Sequence, residues 1–125
     1  MRARDNVADA NDLQKHALDD SVVGSAVLLL GMLADPTRLR LMARLLDGEA
    51  DVTALTEAAG AARPAVSQHL GKLRLAGLVV ARRDGRRALH SVTDPHVRRL
   101  VVEALHAAEH RVSAAPGHHR VPAQP

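Results

Sequence analysis

The sequence predicts a mainly α-helical fold with one small β-hairpin, and three consecutive patterns predict it. A short helical segment, Val52–Ala59, ends before Gly60, and a second, residues 64–76, ends before Gly77. Each helix is thus followed by the residue that most easily adopts positive φ. A hairpin pattern with arginines at its tip comes next. Two helices followed directly by a hairpin predict a winged helix-turn-helix, for which duplex DNA is the expected partner.

The start of the chain predicts a polar, flexible segment, residues 1–10, and then a first helix over residues 11–34. Its stretch 22–33 is apolar on nearly all sides, which predicts burial on two faces, as at a subunit interface. This stretch is shorter than the ~20 residues needed to span a bilayer. The start also lacks the pattern of a secretory signal. We therefore expect a cytoplasmic protein without a membrane segment.

Two further helices are predicted by an aspartate followed by a proline, a helix-capping residue before the residue preferred at the first helical position. Asp35 and Pro36 open a helix through about residue 46, with core contacts from Leu39, Met42 and Leu46. Asp94 and Pro95 open a last helix to about residue 112. From residue 113 the proline, glycine and alanine content predicts a flexible tail, so the folded domain spans residues 11–112.

The predicted hairpin consists of residues 78–82 and 86–92, joined through the turn signal Asp84-Gly85. Between Arg63 and Arg87 there are seven basic residues and one acid, although the net charge of the whole chain is only +3. Such a concentration of positive charge favours docking of a polyanion. The alternative is an ordinary solvated turn that happens to be rich in arginine.

Composition narrows the kind of partner. The 125 residues fit one domain, and they include no Phe, Tyr or Trp, so the core must consist of Leu, Val, Ala and Met. Without aromatic side chains on which bases can stack, single-stranded nucleic acid is a poor candidate. Without cysteine there are no disulfides, iron–sulfur clusters or thiolate metal sites. Double-stranded DNA remains as the candidate partner.

The second helix of the predicted pair has one apolar and one polar face. Val66, Leu70 and Leu73 recur at helical spacing and are predicted to face the core. Gln68 and Lys72 then face outward, where an amide can pair with adenine and an ammonium with guanine or phosphate. This surface is therefore the expected DNA-reading face.

Three stretches resemble the ArsR/SmtB family of metal-responsive transcriptional regulators: MLADPTRLRL at 32–41, AVSQHL at 65–70 and LRLAGLV at 73–79. The resemblance covers most of the chain. It implies a homodimeric winged helix-turn-helix that dimerises through its first and last helices. It also implies a regulator, usually a repressor of metal-handling genes, whose operator affinity depends on bound metal.

The resemblance places the second helix of the pair in the major groove, with Ser67, Gln68, His69 and Lys72 as the carried-over positions. The arginines of the hairpin more plausibly contact phosphates or the minor groove. Ser67 could instead satisfy its own helix backbone, and His69 could pack under the helix. The full candidate DNA-binding set is Arg63, Ser67, Gln68, His69, Lys72, Arg82, Arg83, Arg86 and Arg87.

Histidines and carboxylates gather on the last helix, where His96 and His110 are separated by fourteen residues. At about 100° per residue they fall within about 40° of each other on one face. At about 1.5 Å per residue they nevertheless lie about 21 Å apart, too far to share an ion within one chain. Antiparallel last helices in a two-fold dimer would bring Asp94 and His96 of one subunit beside His110 of the other.

The resemblance implies such an inter-subunit metal site, and Asp94, His96 and His110 match three of its four positions. The fourth position is Ala107, which cannot ligate a metal. Glu109 and the tail residues His118 and His119 are the candidate replacements. The set resembles that of the nickel- and cobalt-sensing branch. Nitrogen and oxygen donors without sulfur favour nickel or cobalt, with zinc as a further candidate.

Simpler roles for the proposed ligands also fit the sequence. Asp94 could serve only as a helix cap, and His118 and His119 could simply be solvated. The chain could be a DNA-binding dimer without metal sensing, with its signal supplied by a partner protein or another effector, which Ala107 favours. A metal hydrolase using His96 and a glutamate lacks support, because the sequence has no HExxH motif.

Overall fold

The structure is a computed structural model that describes residues 19–114. Within them lie five helices and two strands: α1 (Asp20–Leu33), α2 (Pro36–Leu45), α3 (Val52–Ala59), α4 (Arg63–Leu75), β1 (Val80–Asp84), β2 (Arg87–Ser91) and α5 (Pro95–Ala114). This order confirms the predicted fold class, a mainly α-helical domain with one hairpin. The expected flexible start, 1–10, and the tail beyond residue 114 lie outside the described residues.

The first helix begins later than the sequence predicted. Asp19 has extended backbone angles, φ −76° and ψ 127°, and its carboxylate accepts a 2.8 Å hydrogen bond from the backbone N–H of Ser21. It therefore caps a helix that starts at Asp20, and one continuous helix over 11–34 is wrong. Residues 11–18 lie outside the described part of the chain. Within the single chain, Leu33 is the buried residue of this helix.

Helices α2 and α3 both begin at an aspartate cap, of which Asp35 was predicted and Asp51 was not. The carboxylate of Asp35 accepts a hydrogen bond of 2.9 Å from the backbone N–H of Arg38. The carboxylate of Asp51 accepts one of 2.9 Å from the N–H of Ala54. Helix α3 ends at Gly60, whose φ of 63° is the left-handed conformation expected there. These caps fix where the two helices begin and how they enter the core.

The core is an aliphatic cluster to which every helix contributes. Its largest fully buried side chains are Leu41, Met42, Leu45, Leu55, Val66, Leu70, Leu73 and Val101. Met42 occupies the predicted core position, whereas the predicted contacts Leu39 and Leu46 are only partly buried against the cluster. Burying each leucine contributes about 1.5–3 kcal/mol. The all-aliphatic core predicted from the missing aromatic residues is therefore present.

The hairpin exists, but its strands are offset from the predicted bounds. Strands β1 and β2 pair antiparallel with Asp84 opposite Arg87, so Gly85 and Arg86 form the two-residue loop. Gly85 has a φ of 66° and no non-glycine residue described has positive φ, as in a type II′ turn. The predicted strands 78–82 and 86–92 are therefore wrong at their ends. An isolated antiparallel bridge between Ala50 and His90 pairs one further residue with strand β2.

The last helix is capped as predicted and runs slightly further than expected. The Asp94 carboxylate accepts a hydrogen bond of 2.8 Å from the N–H of His96, and the helix continues to Ala114. Its Val97 and Val101 are buried, whereas residues 106–114 are exposed. Within residues 19–114 no single helix is both long and apolar enough to cross a membrane. Helices α1 and α2, bent by 92°, meet that test only as a pair.

Candidate DNA interface and metal-ligand residues

Helix α4 presents the polar face that the sequence predicted for it. Val66, Leu70 and Leu73 are buried beneath it. Ser67, Gln68 and Lys72 are exposed, and within the described residues their side chains make no hydrogen bond or ion pair. Their hydrogen-bonding groups are consequently free to contact base edges or phosphates.

His69 differs from its neighbours on α4, because it turns toward the start of α2. Its Nδ1 lies 3.2 Å from a guanidinium nitrogen of Arg38, and its Nε2 lies 3.9 Å from the carboxylate of Asp35. An arginine can only donate, so Nδ1 is the acceptor. The hydrogen bond from the backbone of Arg38 also lowers the pKa of Asp35, which keeps that carboxylate charged. This arrangement supports the packing alternative for His69 over base readout.

Two of the four hairpin arginines are held by acidic residues. Arg82 donates two hydrogen bonds, of 3.1 and 2.6 Å, to the carboxylate of Glu49, and these bonds lower the pKa of Glu49. Arg87 lies between Asp51, at 3.4 Å, and Asp84, at 3.1 Å. Their positive charge is therefore largely balanced within the protein.

Three candidate arginines keep most of their charge available. The side chain of Arg86 makes no hydrogen bond or ion pair with any described residue. Arg83 contacts only the carbonyl oxygen of Gly85, at 3.4 Å, and Arg63 contacts the hydroxyl of Thr53, at 3.1 Å. Neither contact cancels charge. The unbalanced positive charge of this region therefore lies at the hairpin tip, at the start of α4 and at Lys72 and Arg74 further along that helix.

A groove lies between the later part of α4 and the start of β1. It is lined by Gln68, Lys72 and Arg74 from α4 and by Val80 and Ala81 from β1, with small Gly71 on its floor. The exposed polar side chains of the helix therefore lie along one wall, and the strand that leads to the hairpin tip forms the other. A duplex could contact the helix and the hairpin simultaneously.

The candidate ligands on α5 lie on the surface. Asp94, His96, Glu109 and His110 are all exposed. No group of three His, Asp or Glu residues within residues 19–114 is arranged to hold a metal ion. His118 and His119 lie outside the described residues. Any site that uses the α5 residues would therefore need donors from a second chain or from beyond residue 114.

At the start of α5, two of the atoms that could ligate a metal already accept hydrogen bonds within the protein. One oxygen of Asp94 accepts from the N–H of His96, which leaves its second oxygen free. The Nδ1 of His96 lies 2.9 Å from a guanidinium nitrogen of Arg99 and must be the acceptor. The donor types suit a nickel, cobalt or zinc ion, but His96 must lose its contact with Arg99 to bind one, whether Nδ1 binds the ion or takes the proton so that Nε2 can bind it.

Sequence reasoning missed two arginines that join separate elements. Arg38 contacts the end of α1 as well as His69, and Arg98 contacts the end of α2. Both follow an Asp-Pro pair, at the third position after Asp35 and the fourth after Asp94. That repeated pattern was visible in the sequence, but which carbonyl groups the arginines would meet depends on the tertiary fold.

Comparisons with known proteins agree with this geometry. A family profile described as "Bacterial regulatory protein, arsR family" matches residues 35–80. The chain is 45% identical over 103 residues to the HTH-type transcriptional regulator KmtR of Mycobacterium tuberculosis, covering 82% of this chain and 79% of that protein. It is 41% identical over 93 residues to the regulator NmtR of the same organism, covering 74% and 78%.

Solved structures with the same fold include the transcriptional repressor BigR from Xylella fastidiosa. It has a TM-score of 0.64 and 33% identity, covering 79% of this chain and 94% of that one. A homodimeric winged helix-turn-helix DNA-binding domain, Mb0332 from Mycobacterium bovis, has a TM-score of 0.66 and 28% identity, covering 73% and 84%. These structures match the arrangement of helix pair and hairpin described above.

Proposed function

This chain belongs to the ArsR family of bacterial regulatory proteins, and we propose that it is a homodimeric repressor whose affinity for operator DNA depends on nickel or cobalt. The DNA-binding part follows from the family, because its members are transcriptional regulators and not enzymes. The metal, the residues that bind it and the action as a repressor are the parts that we propose.

One observation supports the assignment of the DNA-binding surface. The exposed side chains of Ser67, Gln68 and Lys72 have no hydrogen-bond or ion-pair partner within the described residues, and the side chains of Arg83 and Arg86 on the hairpin form no ion pair there either. Polar groups without internal partners on a major-groove-sized helix suit base edges. Free guanidinium groups on the neighbouring hairpin suit phosphates. The helix would therefore specify sequence while the hairpin supplies charge.

A homodimer is supported by the apolar surface of α1. Val27, Leu28 and Leu30 are 63%, 74% and 52% exposed, which is unusual for large aliphatic side chains on one helix. Val112 on α5 is also 48% exposed. A second copy that covers both helices would remove this surface from water. The homodimeric state of the Mb0332 domain supports the same assembly.

The metal site that we propose is formed between the α5 helices of the two subunits. Asp94 and His96 from one subunit would bind the ion together with His110 and Glu109 of the other, and His118 and His119 remain further candidates. Such nitrogen and oxygen donors suit nickel and cobalt, and also zinc. A bound ion would supply a cross-link between the subunits. The residues would thereby fix how the two α4 helices are spaced along the operator.

One observation favours the alternative, a regulator without metal sensing of its own. The contact between Arg99 and Nδ1 of His96 stabilises that imidazole without a metal. Because Ala107 also removes one of the four ligand positions of the family site, a different effector could act on the same dimer. The two functions differ in whether the α5 residues bind a metal tightly.

The test is calorimetric titration of the metal-free protein with nickel, cobalt and zinc. The proposal predicts tight nickel or cobalt binding that is lost in a variant carrying His96→Ala and His110→Ala. His106→Ala is the matched control, because His106 is an exposed histidine of the same helix outside the proposed set. Weak binding to the unmodified protein, or equal binding to the double variant, would support the metal-independent alternative.

A further inference from the structure

Helix α2 is held at both ends by arginines that the DNA interface and the metal residues do not include. At its C-terminal end, Arg98 of α5 donates to the carbonyl oxygen of Leu46 at 2.7 Å and to that of Leu45 at 3.5 Å. The same guanidinium donates to the carbonyl of Val92 at 3.1 Å. These contacts satisfy carbonyl groups that the end of a helix leaves unpaired.

Arg98 belongs to the first turn of α5, next to the proposed metal residues. Its backbone N–H donates to the carbonyl of Asp94 at 3.0 Å, and its side chain is half-buried. A change in the orientation of that turn therefore moves the guanidinium relative to α2. The guanidinium is planar and its donors point in fixed directions, so its hydrogen bonds depend on the orientation of α5 relative to α2. Apolar packing alone is non-directional.

At the other end of α2, Arg38 joins three helices. Its Nε donates to the carbonyl of Met32 in α1 at 2.6 Å, while another guanidinium nitrogen lies 3.2 Å from Nδ1 of His69 in α4. The backbone N–H of Arg38 donates to the carboxylate of Asp35, which lies 3.9 Å from the other nitrogen of His69. Helix α4 is thus connected to the start of α2 through the hydrogen bond between Arg38 and Nδ1 of His69, with the Asp35 carboxylate close to the other side of the ring.

Between these two ends, α2 is a rigid element. It has ten residues, which corresponds to a length of about 15 Å. Leu41, Met42 and Leu45 are at most 1% exposed, so its position within the core is fixed by packing. A displacement applied at one end is therefore carried to the other end and not absorbed along the helix.

We infer that α2 links the start of α5 to the DNA-recognition helix α4, with Arg98 and Arg38 as the positioning residues at its two ends. This inference rests on the proposed function, because it describes how binding of a metal at α5 reaches the DNA-binding surface. His69 then acts by holding α4 in place and does not read a base. Allosteric coupling in proteins is typically about 5- to 150-fold in affinity, which sets the scale of the effect.

The first experiment measures the factor by which nickel changes operator affinity, using fluorescence anisotropy at fixed salt. Arg98→Met and Arg38→Met keep the length of the side chain and remove its donors. We expect nickel affinity within about three-fold of the unmodified protein, but a nickel effect on operator affinity reduced to about two-fold or less. Because the two arginines act in series, the double variant should lose no more than either single one.

Arg40→Met is the matched control, because Arg40 is an exposed arginine of α2 whose side chain makes no hydrogen bond or ion pair with any described residue. It should retain the full nickel effect. A purely structural role for Arg98 and Arg38 would lower thermal stability and leave the nickel effect intact, which would overturn the inference. If a methionine variant fails to fold, Arg98→Lys and Arg38→Lys keep one donor and should show a reduced nickel effect. Retention of the full effect would again overturn it.

A second experiment follows α4 without DNA. The chain has no cysteine, so Leu75→Cys, at a position of α4 that is 91% exposed, allows one spin label per subunit. Zinc, which is diamagnetic, should change the distance between the two labels in the dimer, and Arg98→Met should abolish the change. If zinc changes the label distance equally in the Arg98→Met variant, the inference about α2 is overturned but the proposed function is not. No effect of nickel, cobalt or zinc on operator affinity in the unmodified protein overturns the proposed function as well.

Discussion

At the scale of single residues, acidic neighbours determine which hairpin arginines keep net charge. Glu49 and Asp51 lie just before α3 and bind Arg82 and Arg87, whereas Arg86 has no partner within the described residues. The sequence predicted the four arginines as one set, because it contains no direct information about which acids fold back onto them. In the structure, Arg82 and Arg87 form ion pairs within the protein, whereas Arg83 and Arg86 do not.

This separation predicts unequal contributions to DNA affinity. Arg86→Gln should weaken binding several-fold and reduce the slope of log affinity against log salt by about 0.9, the contribution of one phosphate contact. Arg82→Gln should change that slope less, since its charge is already balanced by Glu49. The measurement is operator binding between low and moderate salt. Equal slopes for the two variants would show that Glu49 releases Arg82 to the DNA.

A buried histidine in strand β2 predicts a dependence of stability on pH. His90 is 4% exposed, its Nδ1 has no partner within the described residues, and burial together with the nearby charge of Arg74 lowers its pKa. Below its ordinary pKa of 6.5 the unfolded chain binds a proton that the folded chain does not. The free energy of unfolding should therefore fall as the pH decreases below about 6.5.

Replacement of the histidine tests this origin directly. Urea denaturation of the unmodified protein and of His90→Leu, at pH 7.5 and at pH 5.5, gives the pH effect for each. Leucine keeps the site filled and cannot take up a proton, so the variant should lose much of the dependence. The same loss of stability in both proteins would assign the effect to other groups.

At the scale of elements, the positions of helix ends were more predictable than those of strands. Asp35 and Asp94 cap their helices as the local sequence indicated, because capping involves groups two or three residues apart. The predicted start of the first strand was wrong because Leu78 and Val79 are typical strand residues, but they are buried in the core before β1 begins. The break at Asp19 was missed because the surrounding apolar pattern is compatible with one longer helix.

The cap of α5 predicts that two roles of Asp94 can be separated. Asp94→Ala removes the hydrogen bond to the N–H of His96 and should destabilise the protein by about 1 kcal/mol. Asp94→Asn retains the cap, so stability should change little, yet nickel affinity should fall because the carboxylate is lost. Thermal unfolding and calorimetry of both variants measure this. Full nickel affinity in Asp94→Asn would remove Asp94 from the proposed ligands.

At the scale of the whole molecule, the single chain leaves apolar surface that a partner must cover. The sequence predicted burial of α1 on two sides, and in the single chain Val27 and Leu28 remain largely exposed. The sequence also predicted that His96 and His110 of one chain lie too far apart to share an ion, and the two residues stand near opposite ends of α5. What the sequence could not supply is the link through Arg38 and Arg98, which depends on how the helices pack.

Disruption of the exposed surface should separate the subunits. Leu28→Asp places a charge at the centre of the apolar face of α1, where its burial against a second copy would be costly. We expect a monomer in sedimentation experiments, with weak operator binding and no tight nickel site. Asp20→Asn, an exposed change in the first turn of the same helix, is the control and should leave the dimer intact. A Leu28→Asp variant that stays dimeric would place the interface elsewhere.

The central claim is that the metal site is shared between subunits, and mixing two inactive variants tests it most directly. Neither His96→Ala nor His110→Ala should bind nickel tightly alone, because each homodimer lacks one ligand at both sites. After subunit exchange about half of the dimers should contain one of each chain, and each should regain one intact site. Recovery of tight nickel binding on mixing is the predicted result. No recovery, or full binding by either variant alone, would contradict the shared site.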